Sequence, residues 1–171
     1  NADLLIATDP DCDRCGIGIR YNGEFKLLTG NEVGILLFDF ICNHSSLPLN
    51  PIAVRSIVST GAVDKIASMH NIEMKKVLTG FKFIGDVICK LEENNEENRY
   101  IFGFEESYGY LTNPKVRDKD AVNASLIIAE MFYYYHERNI NLIDKLHSIY
   151  ETIGYYKNSL LTYEFDGENG L

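Results

Sequence analysis

The sequence lacks the long apolar run that a membrane-spanning helix requires. Its apolar stretch Ile35–Ile41 is far shorter than the roughly 20 residues that cross a bilayer. Positive charge is scarce as well, because 16 Lys and Arg stand against 25 Asp and Glu, for a net charge of −9. Binding to a phosphate backbone needs clustered Lys and Arg, so we expect neither a nucleic acid nor a membrane as partner. A small anionic ligand in a locally positive pocket is compatible with this composition.

Cysteines are few and widely spaced, at positions 12, 15, 42 and 89. In a chain of 171 residues this spacing predicts reduced thiols and a cytoplasmic location instead of a disulfide framework. Cys12 and Cys15 fit C-x-x-C, but a zinc site would want a second such pair, which the sequence does not contain. The chain starts without an initiating Met or a signal peptide, so we expect it to begin inside a longer protein.

Strand and helix patterns alternate along the chain. Runs of apolar and β-branched residues predict strands at Leu4–Ala7, Cys15–Arg20, Glu24–Leu28, Ile52–Val58, Glu73–Leu78 and Arg99–Phe104. Apolar residues at helical spacing predict helices at Gly30–Cys42, Ser59–His70, Phe81–Glu93, Lys119–Glu137 and Leu142–Tyr150. A polar, strand-like tail follows the last helix. This alternation predicts a three-layer α/β/α domain with a mostly parallel sheet, preceded by a β-hairpin that turns at Asn22-Gly23. We expect boundaries that divide the chain into residues 1–28, 29–153 and 154–171.

Three carboxylates, Asp9, Asp11 and Asp13, follow the first predicted strand, which we expect to be buried. Three negative charges are costly to gather unless a cation neutralises them, and carboxylate oxygens suit Mg²⁺. In an extended chain the outer two would lie roughly 13 Å apart, so the segment must curl to hold one ion. Arg14 follows directly, and its guanidinium offers paired donors for phosphate oxygens.

Other interpretations of this acidic segment remain open. It is also compatible with a solvated acidic turn, or with a phosphatase that uses Asp9 or Asp11 as a nucleophile. A calcium-binding EF-hand loop fits poorly, since Arg14 stands where Gly is needed and Arg20 where Glu is needed.

Three more polar segments lie at the ends of predicted strands or the start of a predicted helix: Thr79–Lys82, Glu105–Gly109 and Arg117–Asp120. The adjacent carboxylates of the second segment, together with Ser107, can hydrogen-bond the hydroxyls of a sugar. Taken singly, each segment is equally compatible with a polar turn or a helix start. We expect them to occupy successive strand-to-helix loops, which converge at one edge of a parallel sheet.

Together and in this order, these segments resemble the α-D-phosphohexomutase family, the phosphoglucomutases and phosphomannomutases. Residues 9–14 resemble its D-x-D-x-D-R magnesium loop, 79–82 its T-G-[FW]-K loop, 105–109 its sugar-selecting E-E-S-[FY]-G loop and 117–120 its R-[DE]-K-D segment. The resemblance covers nearly the whole chain. It implies that residues 1–28 end the family's second domain, 29–153 form the third, and 154–171 lead toward a fourth. The E-E-S-[FY]-G form favours glucose phosphates over mannose phosphates.

The resemblance also implies roles for individual residues. It makes Asp9, Asp11 and Asp13 the magnesium ligands, and Arg14 and Lys119 catalytic residues. The implied phosphosugar-binding residues are Thr79, Lys82, Glu105, Ser107 and Lys119. Family members interconvert 1- and 6-phosphosugars through a phosphoserine and a bisphosphate intermediate, here glucose 1,6-bisphosphate.

The serine-bearing signature T-A-S-H of the family's first domain does not occur in this sequence. We therefore expect the first and fourth domains to be missing partners from the same chain, and the segment alone to be inactive. Two other functions remain as alternatives: a sugar-phosphate phosphatase with an Asp nucleophile, and a non-catalytic module that binds a sugar phosphate or a metal.

Overall fold

The computed structural model describes residues 2–159 and 161, and it confirms the predicted α/β class. The strands are β1 Leu4–Thr8, β2 Cys15–Tyr21, β3 Glu24–Leu27, β4 Ile52–Ser56, β5 Glu73–Val77, β6 Tyr100–Glu105 and β7 Gly109–Leu111. The helices are α1 Gly30–His44, α2 Ala62–Met69, α3 Lys82–Glu93, α4 Ala121–His136 and α5 Leu142–Ile153, with a 3₁₀ turn at Glu97–Arg99. Within these described ranges, no helix is long and apolar enough to cross a membrane.

The first three strands form an antiparallel sheet in the order β1-β2-β3. Asn22 and Gly23 both adopt positive φ, 52° and 88°, as the tight turn between β2 and β3 requires. The inner face of β2 belongs to the same hydrophobic core as α1, α4 and β6, so the hairpin is packed onto the larger unit.

The expectation of a buried first strand is wrong for β1. Leu5 and Ile6 are 44% and 38% exposed, although both are apolar. The reason is position, because β1 pairs on one side only and lies at the edge of its sheet. An apolar run in the sequence does not distinguish a central strand from such an edge strand.

The second sheet has the order β5-β4-β6-β7, with β4 at the centre and parallel to both β5 and β6. The whole of β4 is buried, as is typical of a central strand in a parallel sheet. β7 runs antiparallel to β6 and has no counterpart among the predicted strands. Its three residues are too few to show an alternating pattern, so only the pairing with β6 reveals it.

The starts of α3 and α4 differ from the prediction, and the presence or absence of a side-chain cap explains the difference. α4 begins at Ala121, two residues later than expected, because the Asp120 carboxylate accepts the backbone N–H of Asn123 and so caps the helix. α3 begins at Lys82 without a side-chain cap, so Thr79 is not a helix cap. Of the predicted strand-like tail, residues 154–159 form no strand, and residues 160 and 162–171 lie outside the described part.

Helix α1 lies against the loop that follows β6, and Gly30 permits this close approach. A Cβ atom at Gly30 would overlap the backbone carbonyl oxygen of Glu106, far inside van der Waals contact, and would lie 2.9 Å from the backbone nitrogen of Tyr108. Since the obstacle is backbone, a rotamer change cannot relieve it. The start of α1 and the loop at 106–108 are therefore fixed relative to each other.

Replacing Gly30 by Ala is expected to lower the free energy of unfolding by about 1–3 kcal/mol, the usual cost of overpacking. Helix propensity acts in the opposite direction, because Ala is favoured over Gly inside a helix by about 1 kcal/mol. A decrease in the free energy of unfolding therefore indicates that the steric overlap outweighs helix propensity. Urea denaturation measures it. Gly16→Ala is the matched control, since its Cβ would lie 3.9 Å from the Tyr108 ring, an ordinary contact. Equal effects in both variants would contradict the packing argument.

Candidate active site

The acidic segment after β1 curls into a loop that gathers its carboxylates. One oxygen from each of Asp9, Asp11 and Asp13 lies within 4.8 Å of the others. Cys12 turns the chain with φ of 59°, and its N–H donates to the Asp9 carbonyl at 3.0 Å. Asp9 Oδ1 accepts the backbone N–H groups of Asp13 at 3.1 Å and Arg14 at 3.0 Å. The loop is thus preassembled by its own backbone.

The donor chemistry of this loop fits a hard divalent cation. Asp13 Oδ1 is buried and has no hydrogen-bond partner within the part of the chain that the structure describes. A buried carboxylate oxygen without a partner is costly, and a cation would satisfy it. The hydrogen bond from the Arg14 backbone N–H is the main cause that lowers the pKa of Asp9, so this carboxylate stays ionised as a metal ligand must.

The acidic loop is bonded to two segments far away in the sequence. The backbone N–H of Cys15 donates to the Tyr108 carbonyl at 3.0 Å, just after the E-E-S segment. The N–H of Ala121, the first residue of α4, donates to the Cys12 carbonyl at 3.2 Å. The predicted metal loop and the predicted sugar-recognition loop therefore form one continuous structure.

Lys119 lies beside the acidic loop. Its Nζ is 2.8 Å from Asp13 Oδ2 and 3.1 Å from Asp118 Oδ1, and its side chain is only 13% exposed. Burial lowers the pKa of Lys119, but the hydrogen bonds to Asp13 and Asp118 outweigh it, so the pKa is raised. A positive charge is therefore held next to the candidate metal ligands.

The route by which Lys119 reaches the site differs from the prediction. The segment Arg117–Asp120 does not follow a parallel strand, because it comes after the antiparallel strand β7. The chain leaves β7 at the far edge of the sheet and returns, and the N–H of Asp120 donates to the Tyr110 carbonyl at 3.1 Å. The prediction that the loops meet at one edge of the sheet is therefore correct for the loops after β5 and β6. Lys119 reaches the same edge through a segment that returns from the end of β7.

The loops after β5 and β6 are joined by a short hydrogen bond. Glu105 is only 5% exposed, and its Oε1 accepts the N–H of Gly80 at 2.6 Å. Gly80 has φ of 119°, a conformation that favours glycine. Thr79 and Lys82 are exposed beside this junction, and Ser107 is half-buried. The structure thus brings the predicted sugar-binding segments together, with Glu105 partly engaged by the protein itself.

Arg14 is an exposed charged side chain beside the acidic loop. Its Nε is 3.9 Å from Asp9 Oδ2 and 3.7 Å from Asp13 Oδ1, and the side chain is 53% exposed. These distances exceed those of a hydrogen bond, so the guanidinium is held loosely and can turn toward an anion.

Sequence reasoning missed a buried polar network behind the predicted sugar-recognition loop. Arg55, the fourth residue of β4, is 6% exposed and pairs with Asp64. Ser56 ends β4 and Ser59 lies in the loop that follows, and their hydroxyls contact the Glu106 carboxylate at 3.2 and 3.1 Å. A signal was present, because an Arg inside an otherwise apolar, β-branched strand must be paired if the strand is buried.

Comparison with known proteins identifies the family. The sequence profile described as "Phosphoglucomutase/phosphomannomutase, alpha/beta/alpha domain III" matches residues 29–152. This chain belongs to the α-D-phosphohexomutase family. Among curated family members, a phosphoglucomutase of Staphylococcus aureus (strain MSSA476) is 40% identical over 174 aligned residues, covering 99% of the chain. A phosphomannomutase of Mycoplasmoides pirum is 36% identical over 170, again covering 99% of the chain.

The chain spans about 30% of the length of these phosphohexomutases. Solved structures of the family share the fold. The exocytosis-sensitive phosphoprotein pp63/parafusin, a phosphoglucomutase from Paramecium, aligns over 90% of this chain and 25% of its own, with a TM-score of 0.64 and 23% identity. An N-acetylphosphoglucosamine mutase of Aspergillus fumigatus, solved with GlcNAc-6P and magnesium, aligns over 85% of this chain and 35% of its own, with a TM-score of 0.57 and 16% identity.

Proposed function

We propose that this chain is the metal-binding and sugar-recognition part of a phosphohexomutase that interconverts 1- and 6-phosphosugars. Glucose 1-phosphate and glucose 6-phosphate are the favoured pair, and mannose phosphates are possible substrates. One observation carries the proposal: the three carboxylates of the acidic loop lie within 4.8 Å of one another, and backbone hydrogen bonds join this loop to the E-E-S-Y-G segment.

In this proposal Asp9, Asp11 and Asp13 hold Mg²⁺, whose charge would stabilise the phosphoryl group during transfer. Arg14, loosely held and exposed, binds phosphate oxygens beside the acidic loop. Lys119 keeps a positive charge beside the acidic loop. There it would offset the negative charge of the phosphosugar and lie close to the hydroxyl groups that gain or lose protons during phosphoryl transfer. The chain thus surrounds an anionic ligand with cations although its net charge is negative.

The sugar would bind where the loop after β5 meets the loop after β6. The Ser107 hydroxyl and the second oxygen of Glu105 are available to sugar hydroxyls, since Gly80 engages only one oxygen of that carboxylate. Thr79 and Lys82 are exposed on the other side of the junction, where Lys82 adds a further positive charge for a phosphate. This arrangement places sugar recognition and phosphate binding side by side.

The remaining parts of the enzyme are proposed to lie elsewhere in the same protein. Residues 1–28 would end the second domain, 29–153 would form the third, and 154–171 would lead to the fourth. The phosphoserine that exchanges its phosphoryl group, by way of glucose 1,6-bisphosphate, would belong to the first domain. The free thiols of all four cysteines are compatible with the cytoplasm as its location.

A direct assay tests this function. The full-length protein that contains this segment is expected to convert glucose 1-phosphate to glucose 6-phosphate in the presence of magnesium and a trace of glucose 1,6-bisphosphate. EDTA is expected to abolish turnover and added magnesium to restore it. The isolated segment is expected to be inactive. Release of inorganic phosphate instead of isomerisation would favour the phosphatase alternative, and turnover by the isolated segment would contradict the domain assignment.

A further inference from the structure

Arg55 organises the loop that follows β4. Its Nε and Nη2 donate to the two carboxylate oxygens of Asp64 in α2, at 2.7 and 2.9 Å. Its Nη1 donates to the backbone carbonyls of Ser56 at 3.0 Å and Ser59 at 2.9 Å. A planar guanidinium can make this paired contact on one side and hold two carbonyls on the other, which a Lys ammonium cannot. The conformation of residues 56–59 therefore depends on Arg55.

The loop shaped by Arg55 in turn holds Glu106. Ser56 Oγ and Ser59 Oγ are 2.7 Å apart, and they lie 3.2 and 3.1 Å from Glu106 Oε2. The N–H of Ser59 donates to Ser56 Oγ, and the N–H of Glu106 donates to Ser59 Oγ. Each hydroxyl has one proton, so one hydroxyl donates to the other, which then donates to the carboxylate. Glu106 is therefore bound through both its side chain and its backbone N–H.

Glu106 belongs to the sugar-recognition loop, residues 105–109. On one side the loop is pressed against Gly30 of α1, and on another the Tyr108 carbonyl accepts the N–H of Cys15. Tyr108 itself has φ of 67°, which few L-residues adopt without support from their surroundings. Glu106 is thus a side-chain anchor of this loop, beside the contact of Glu105 with Gly80.

We propose that Arg55 and Glu106 are positioning residues for sugar recognition. Arg55 shapes the loop after β4, the Ser59 hydroxyl of that loop holds Glu106, and Glu106 fixes the neighbouring Glu105 and Ser107 in the orientation that receives the sugar hydroxyls. The carboxylate of Glu106 acts on the ligand only through this arrangement. The inference rests on the proposed mutase function and assigns to Arg55 and Glu106 a role in choosing the sugar.

The test compares variants of the full-length protein with glucose 1-phosphate and mannose 1-phosphate. Glu106→Ala is expected to raise KM for glucose 1-phosphate about tenfold, while the magnesium concentration at half-maximal activity stays within about twofold of wild type. The ratio of kcat/KM for glucose over mannose phosphate is expected to fall by about fivefold, because the misplaced loop loses its discrimination. Glu106→Gln keeps an acceptor for the Ser59 hydroxyl and is expected to recover most of this ratio.

A matched control and a second variant keep the test decisive. Lys76→Ala removes the exposed partner on the solvent side of Asp64 and is expected to leave KM and the sugar ratio unchanged. Should Glu106→Ala not fold, Ser59→Ala removes the same contact with a smaller change and is expected to shift the ratio in the same direction. An unchanged ratio in these variants, with wild-type turnover present, overturns the positioning role alone. Absence of isomerisation in the wild-type protein overturns the proposed function instead.

Discussion

Replacing Asp13 by Asn in the full-length protein is expected to lower kcat/KM for phosphosugar interconversion by at least about 100-fold, the scale of effect typical for one lost electrostatic contact in an active site. Asn is close to Asp in shape, so the backbone of the acidic loop is retained. What is lost is the negative charge and one of the two carboxylate oxygens, of which Oδ1 is buried and has no hydrogen-bond partner among the residues described. The magnesium requirement is expected to rise in parallel, since one of three carboxylates is gone.

Initial rates over a series of magnesium concentrations measure both effects. Asp3→Asn is the matched control. Asp3 lies just before β1, the strand that the acidic loop follows, and its Oδ1 is 3.4 Å from Arg20 Nε, outside the acidic cluster. It is expected to change activity by less than about twofold, as most surface substitutions do. Wild-type activity and magnesium dependence in Asp13→Asn would remove the basis for a metal site at this loop.

Replacing Lys119 by Met is expected to have two effects of opposite direction. Turnover is expected to fall about 100-fold or more, because a positive charge next to the acidic loop is lost. Magnesium, in contrast, is expected to bind more tightly, since Lys119 Nζ occupies Asp13 Oδ2 at 2.8 Å and competes with the ion for that oxygen. Met retains the apolar stem, which packs closely against Gly109, so the loop itself is expected to persist.

Calorimetric titration with magnesium and steady-state kinetics separate the two effects. Lys75→Met serves as the control, because Lys75 pairs with Glu73 on β5 and its charge is away from the acidic loop. A Lys119→Met protein that binds magnesium more weakly than wild type would show that the lysine supports the metal site instead of competing with it. Unchanged turnover would exclude a role for Lys119 in catalysis.

Local features of the sequence predicted most of the fold. The Asn22-Gly23 turn, the start of α1 at Gly30 and the existence of the strand β4 each depend on neighbours in the chain. The errors lie where distant contacts decide. β1 is apolar but exposed because it lies at a sheet edge, and β7 exists only through its pairing with β6.

The candidate site shows the same division. The order of four segments, residues 9–14, 79–82, 105–109 and 117–120, was sufficient to recognise the family, because residue type limits what chemistry a segment can perform. Their mutual bonding was not predictable, since the contacts between Cys15 and Tyr108 and between Cys12 and Ala121 join residues far apart in the chain.

Residue types thus specified a three-carboxylate loop, a polar segment that we predict to recognise a sugar, and an α/β framework, because these depend on side-chain chemistry and local periodicity. Tertiary structure alone decided that Lys119 meets Asp13, that Gly80 occupies one oxygen of Glu105, and that Arg55 supports Glu106 from behind. The physical reason is that a buried charge takes whichever partner the folded chain brings within hydrogen-bonding distance, and sequence spacing does not encode that distance.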